Sequence, residues 1–289
     1  MKPLNEIIEF IIIKMKTQLI STALAVTVTV SSQAALYLQL TADDLGLTQG
    51  ADVTSWTDSA SGNVFGLESG ASASTAPSYE TNYNGSGHAA VLFDGVDDFL
   101  QDTSLAGTTP NTAEMTVFVV GQFVSYSNTR YLLSAQNNTV DSGDNRLRLA
   151  ISGSDWRTRV GDGSNIDTSG DAADSDHHVF SIVSGQNATN AVVMQLDGSA
   201  ILTGTHGTTA NAANLDRLNL GAFSNVTDST KDWANGYIAE IRIYDTSMTD
   251  AEINTIHNEL SAKYAPVPEP SSAALLGLGG IALILRRSK

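Results

Sequence analysis

Asp94, Asp97 and Asp98 crowd into the run Phe93-Asp94-Gly95-Val96-Asp97-Asp98, and calcium takes its ligands from oxygen clusters of this kind. The run has a second reading, in which Asp94-Gly95 supplies turn geometry while Asp97 and Asp98 are solvated. Positive charge gathers elsewhere. Arg146, Arg148, Arg157 and Arg159 alternate with apolar residues in two stretches separated by Ser152-Gly153-Ser154-Asp155. Paired as strands, these stretches would turn Leu147, Leu149, Ile151, Trp156 and Val160 toward a core and all four arginines toward the opposite face. The planar donor fork of Arg suits a carboxylated or sulfated polysaccharide. The competing reading is an ordinary outer face on which the arginines offset neighbouring aspartates.

Other reactive constellations are missing. Gly85-Ser86-Gly87-His88 lacks the Gly-x-Ser-x-Gly elbow and reads as a turn before a strand. His177-His178 lacks the i, i+4 spacing and accompanying Glu of a helical zinc site, so a structural role is expected. With no cysteine in the chain, disulfides, thiolate-bound zinc and thiol nucleophiles are all excluded.

The formal net charge is −16, from 15 basic and 31 acidic residues. Residues 1–34 and 271–289 hold six of the basic residues and two of the acidic ones, so the body between them is more acidic still. Such a surface repels nucleic acid and favours solubility and bound cations.

Positioning these groups requires strands. Leu36, Leu38 and Leu40 alternate with Tyr37 and Gln39, and Ala89–Phe93, Met115–Val124, Arg130–Ala135, Arg146–Ile151, Trp156–Val160, His178–Val183, Ala191–Leu196, Arg217–Leu220 and Tyr237–Tyr244 follow, all between turn clusters. Asp197-Gly198 marks a tight turn. One helix is expected near the end: Thr249-Asp250-Ala251-Glu252 fits a capping box, Ile253, Ile256, Leu260 and Tyr264 recur at helical spacing, and Pro266 stops it. Many strands with a single helix predict an all-β, two-sheet antiparallel jelly-roll sandwich capped by that helix.

Several stretches together resemble the LamG-like jelly rolls of the concanavalin A-like lectin/glucanase superfamily. They are Leu40-Thr41-Ala42-Asp43-Asp44-Leu45-Gly46, Val53-Thr54-Ser55-Trp56-Thr57-Asp58, Val91 through Leu100, and Gly236 through Tyr244 leading into the helix. The resemblance covers residues 36–265 and implies a sheet face used for glycans and, in some members, calcium; it does not imply catalysis. Glucanase members carry a Glu-x-Asp-x-(x)-Glu run, because glycoside cleavage uses paired carboxyls. The body's glutamates, at 68, 80, 114, 240, 252 and 259, form no such run. No catalytic residue and no enzymatic activity are therefore expected, and Glu240 with Arg242 reads as a same-face ion pair.

The ends read as addresses. Val267-Pro268-Glu269-Pro270 is followed by an apolar run to Leu285 and then Arg286-Arg287-Ser288-Lys289. Ala273–Leu285 would span roughly 20 Å as a helix, short against a hydrocarbon core of about 30 Å. Residues 266–289 closely resemble a PEP-CTERM sorting signal, which implies an exosortase-type partner, transient membrane contact through a short transmembrane helix, and cleavage near Pro268, Glu269 and Pro270. At the other end, Met15-Lys16 introduces the apolar segment Leu19–Val30, and Ser32-Gln33-Ala34 fits a signal peptidase site cut after Ala34. The start is then Met15, or the whole of 1–34 is a long signal or an uncleaved anchor. The chain thus reads as an exported envelope or matrix protein, sorted by an exosortase-type system, whose non-catalytic jelly roll binds carbohydrate or serves as a structural component. The alternatives are a divergent polysaccharide hydrolase and a structural surface protein without a specific ligand.

Overall fold

The computed structural model describes residues 34–68, 75–105, 113–125, 128–136, 146–161, 164–170, 173–186, 191–206, 217–223 and 232–268. The expected signal segment before Ala34 and the tail beyond Pro268, with Glu269, Pro270, Arg286, Arg287 and the apolar run, lie outside these residues. Among the described residues no helix is long and apolar enough to cross a membrane.

Among the described residues sixteen strands form two antiparallel sheets: β1 (Leu36–Thr41), β2 (Ser55–Thr57), β3 (Val64–Gly66), β4 (Ser78–Tyr83), β5 (His88–Asp94), β6 (Leu100–Asp102), β7 (Met115–Phe123), β8 (Arg130–Gln136), β9 (Arg146–Ser152), β10 (Asp155–Gly161), β11 (Ile166–Asp167), β12 (His178–Ser184), β13 (Ala191–Leu196), β14 (Ser199–Thr205), β15 (Arg217–Leu220) and β16 (Asn235–Tyr244). The first sheet runs β14-β13-β12-β7-β16-β5-β4, with β1 also on β16, and the second runs β11-β10-β9-β8-β15-β6-β3-β2. The expected two-sheet sandwich with a C-terminal helix is the observed architecture.

The two inner faces meet in one apolar core that includes Phe93, Val117, Val119, Leu133, Leu147, Leu149, Ile151, Trp156, Phe180, Leu220 and Ile241. The first sheet is buried on its other face as well. There α1 (Asp250–Lys263) lays Ile253, Ile256 and Leu260 on Phe118, Val120, Val179, Val183 and Ala239. With both faces covered, β7 and β12 are buried along almost their whole length rather than at alternate residues. The capping box forms as expected: the Thr249 side chain accepts from Glu252 N–H, and the Glu252 carboxylate accepts from Thr249 N–H at 2.8 Å. Full burial of a side chain such as Leu260 contributes about 1.5–3 kcal/mol, so the apolar stripe rather than helix propensity holds α1 in place.

Candidate functional site

The outer face of the second sheet, away from the core, carries an unusual polar row. Gln101 of β6 stands opposite Asn219 of β15, Asn219 opposite Ser134 of β8, Ser134 opposite Arg148 of β9, and Arg148 opposite Arg159 of β10. Five side chains from five adjacent strands therefore lie in register across the sheet. The middle of the row is deep, with Asn219, Ser134 and Arg148 at 0%, 1% and 5% exposure, while Gln101 and Arg159 at its ends are half-buried. Asn219 donates through Nδ2 to Ser134 Oγ at 3.2 Å, and Ser134 Oγ donates to Ala222 O at 2.8 Å. Among the described residues the buried Asn219 Oδ1 acceptor has no partner, an arrangement that costs desolvation until a donor arrives.

Beside this row sits a small aromatic floor. Tyr131 and Phe223 pack with ring centroids 5.3 Å apart, covering Ala150, and the Arg148 guanidinium lies 4.7 Å from the Phe223 centroid and 5.5 Å from that of Tyr131. Arg148 also donates through Nη1 to Asn165 Oδ1 at 3.3 Å. Arg157 makes a two-pronged pair with Asp167 at 2.6 and 2.7 Å, and these hydrogen bonds raise its pKa further. The strand pairing does put Leu147, Leu149, Ile151, Trp156 and Val160 in the core and Arg148, Arg157 and Arg159 on the opposite face. The backbone of Arg146 pairs with Gly161; its side chain lies outside the described residues. The face is thus less a bare cationic stripe than a buried polar row with Arg148 seated on rings and Arg157 paired with Asp167. Gln101, Ser134, Asn219, Tyr131 and Phe223 were not singled out in the sequence, because each is far from its partners along the chain.

The acidic turn also assembles. Asp94, Asp97 and Asp98 bring one carboxylate oxygen each within 4.8 Å of the others, a spacing that one ion with calcium–oxygen distances of about 2.3–2.6 Å would span. Asp94 Oδ1 accepts from Val96 N–H at 2.8 Å, and Asp98 Oδ2 accepts from Asp94 N–H at 2.9 Å, so turn geometry uses part of the oxygen set. Burial, with the negative charges of Asp94, Asp97 and Asp52 added, pushes the Asp98 carboxyl up to about 6 despite that amide bond. Asp52 in turn lines an open cleft of about 530 Å³ with Asp44, Leu47, Thr54 and Thr57.

The remaining polar centres hold structure together. Burial lowers the pKa of His178, but hydrogen bonds to Asp197 and Asp174, both 2.7 Å, outweigh it and raise the value. His178 thereby ties the start of β12 to the β13–β14 turn. Trp56 and Trp156 are both 1% exposed and belong to the core rather than to a sugar platform. Trp233 is half-buried beside Tyr131. Ala34 is half-buried and Pro268 exposed at the two ends of the described chain.

Residues 266–288 match the PEP-CTERM protein-sorting motif, which implies recognition by an exosortase, export and sorting to the cell envelope. No curated protein matches the chain. Among solved structures, a Trypanosoma rangeli sialidase in complex with 2,3-difluorosialic acid superposes with a TM-score of 0.54 at 14% identity, over 79% of this chain and 33% of the sialidase. The binding domain of botulinum neurotoxin serotype G superposes with a TM-score of 0.50 at 10% identity, over 79% of this chain and 52% of that one. The chain thus spans about a third of the length of the sialidase, and at these identities the likeness is one of fold alone.

Proposed function

We propose that this is an exported, non-catalytic envelope or matrix protein whose LamG-like sandwich binds an acidic polysaccharide on the outer face of its second sheet. The observation that carries the reading is the in-register polar row, with arginines at one end and at its centre a buried Asn219 Oδ1 that has no partner among the described residues. A carboxylated sugar would bring hydroxyl donors to Asn219 and an anion beside Arg148 and Arg159. Among the described residues the strands of this sheet contain no glutamate. Its Asp102 accepts from Ser104 N–H, its Asp155 lies near Thr168, and its Asp167 is held by Arg157.

The test is a glycan array run with acidic and neutral polysaccharides. Arg159→Ala, at a half-buried position, is expected to weaken acidic-glycan binding by about tenfold, the scale of one charge-assisted hydrogen bond. Asn219→Leu should weaken it further without changing the preference for charge. Equal binding by parent and both variants would remove this face from consideration. A blank array would favour the structural surface protein, and release of reducing sugar would favour the hydrolase.

Calcium at Asp94, Asp97 and Asp98 belongs to the same proposal. The oxygens not engaged in the turn fit a hard cation, which would supply the counter-charge that the crowded carboxylates lack. Because Asp98 must lose its proton to bind, calcium affinity measured by calorimetry should fall about tenfold from pH 7.5 to pH 5. In chelator the sign is set by the raised folded value. The native state holds the Asp98 proton more tightly than the unfolded chain, so this group's contribution declines as pH rises from about 4 to about 6. Asp98→Asn should remove both effects. Identical melting curves with calcium and with chelator at pH 7.5 would refute the metal site.

A further inference from the structure

The folded body and the sorting motif are separated by one peptide step. After α1 ends at Lys263, the chain does not leave the surface. Tyr264 is fully buried, its hydroxyl donates to Glu240 Oε2 at 2.9 Å, and its carbonyl accepts from Asn84 Nδ2 at 3.2 Å. Pro266 then runs beside the β4–β5 turn, close to Gly85, and Val267 N–H donates to Gly85 O at 3.0 Å. The turn itself is a fixed object, with Asn84 and Gly85 at φ of 53° and 69° and Ser86 bonded back to Tyr83 O through both its amide and its hydroxyl. Pro268, the first residue of Pro-Glu-Pro, is the next residue along, about 3.8 Å on by Cα. No free linker stands between the last docked residue and the motif.

A transpeptidase must hold its substrate extended on both sides of the bond it attacks. Residues Ala265–Val267 cannot enter such a cleft while they lie on the β4–β5 turn. We propose that this strap is an intramolecular gate on sorting: docked, it withholds the residues that precede Pro268, and processing proceeds from the undocked strap. The gate rests on the reading of the tail as a removable address. It places the sorting enzyme against the end of the sandwich that bears Asn84, Gly85 and the C-terminus of α1. Ala265, Pro266 and Val267 are exposed and lightly held, so the strap, together with the Tyr264 carbonyl that Asn84 holds, can open while the Tyr264 ring and the body stay folded. Loss of one of its hydrogen bonds should enlarge the open population roughly three- to tenfold.

The experiment follows the appearance of the processed C-terminus by pulse-chase and mass spectrometry in cells that carry the sorting enzyme. Three chains are compared: the full-length parent, the chain with six Gly/Ser residues inserted between Val267 and Pro268, and Asn84→Gly. The last of these keeps the positive φ of the turn but removes the donor to Tyr264 O. Both variants are expected to be processed several-fold faster than the parent, with melting temperatures close to it. Acceleration by the insertion alone would mean that the body merely crowds the enzyme, and would overturn the gate. So would equal rates, or slower processing of the insertion chain, which would mean that the enzyme reads the docked geometry. If every chain keeps Arg286-Arg287-Ser288-Lys289, the removable address falls, and the gate with it.

Discussion

Glu240→Gln is expected to lower the stability of the sandwich by about 3 kcal/mol, because Glu240 is the carboxylate on which the last strand, the last helix and Tyr264 just beyond it converge. It is 1% exposed and accepts from Arg242 Nε at 2.6 Å, Lys263 Nζ at 2.8 Å and the Tyr264 hydroxyl at 2.9 Å. Removing the charge leaves two cations facing an amide. Breaking a buried pair from one side costs about 3–5 kcal/mol. The low end applies here, because Arg242 keeps Glu259 at 2.8 Å and Lys263 keeps Asp43 at 3.6 Å. For a domain of this size the loss corresponds to a melting temperature lower by roughly 6–12 °C. The acid limb should change too. Burial raises the Glu240 pKa, but Lys263 and Arg242 outweigh it and hold the folded value below the ordinary 4.5. Its contribution is therefore complete above that pH and lost as pH falls through the folded value. Urea titrations at pH 7 and pH 4 check both statements; a variant with the parent's midpoint at pH 7 would show that α1 is held by its apolar stripe alone.

Gly221→Ala should be the other severe substitution, at about 3 kcal/mol or more, from left-handed strain of roughly 1–2 kcal/mol added to overpacking of about 1–3 kcal/mol. Gly221 has φ of 81°, and a Cβ there would overlap the ring of Phe93, which is fully buried between the sheets. The backbone cannot shift to make room, since Gly221 N–H donates to Leu132 O at 3.0 Å and its carbonyl accepts from Ala234 N–H at 2.7 Å. Gly153→Ala is the control: its φ of 61° brings the strain, but no atom lies within 4 Å of the added carbon, so about 1 kcal/mol is expected. Comparable losses in the two variants would mean that Phe93 repacks freely.

Local pattern carried much of this fold. Alternation over Arg146–Ile151 and Trp156–Val160 was enough to sort core from outer face, and Thr249-Asp250-Ala251-Glu252 marked the start of α1. The short strands Ser55–Thr57, Val64–Gly66, Leu100–Asp102 and Ile166–Asp167 escaped strand assignment because two or three residues cannot show a period. The acidic turn was legible, since its three aspartates are neighbours in the chain as well as in space. The polar row was not. Asn219 meets Ser134 and Gln101 only through strand pairings across 85 and 118 positions, and nothing local at Asn219 signals it. The same holds for the strap, whose anchor at Gly85 reads locally as no more than a turn.

The position of β16 has a kinetic consequence. Although last among the strands, it occupies the middle of the first sheet, pairing with β7 along one edge and with β5 and then β1 along the other. Until residues 235–244 arrive, β7 and β5 have no strand to join them, and β1 has no partner in the sheet. Long-range closure of this kind is slow, so the N-terminal portion emerging from a ribosome lacks the piece that would lock it. A chain that must be threaded through a membrane before it folds gains time from that order of strands. The same delay leaves the edges of β5 and β7 open to wrong partners if threading stalls.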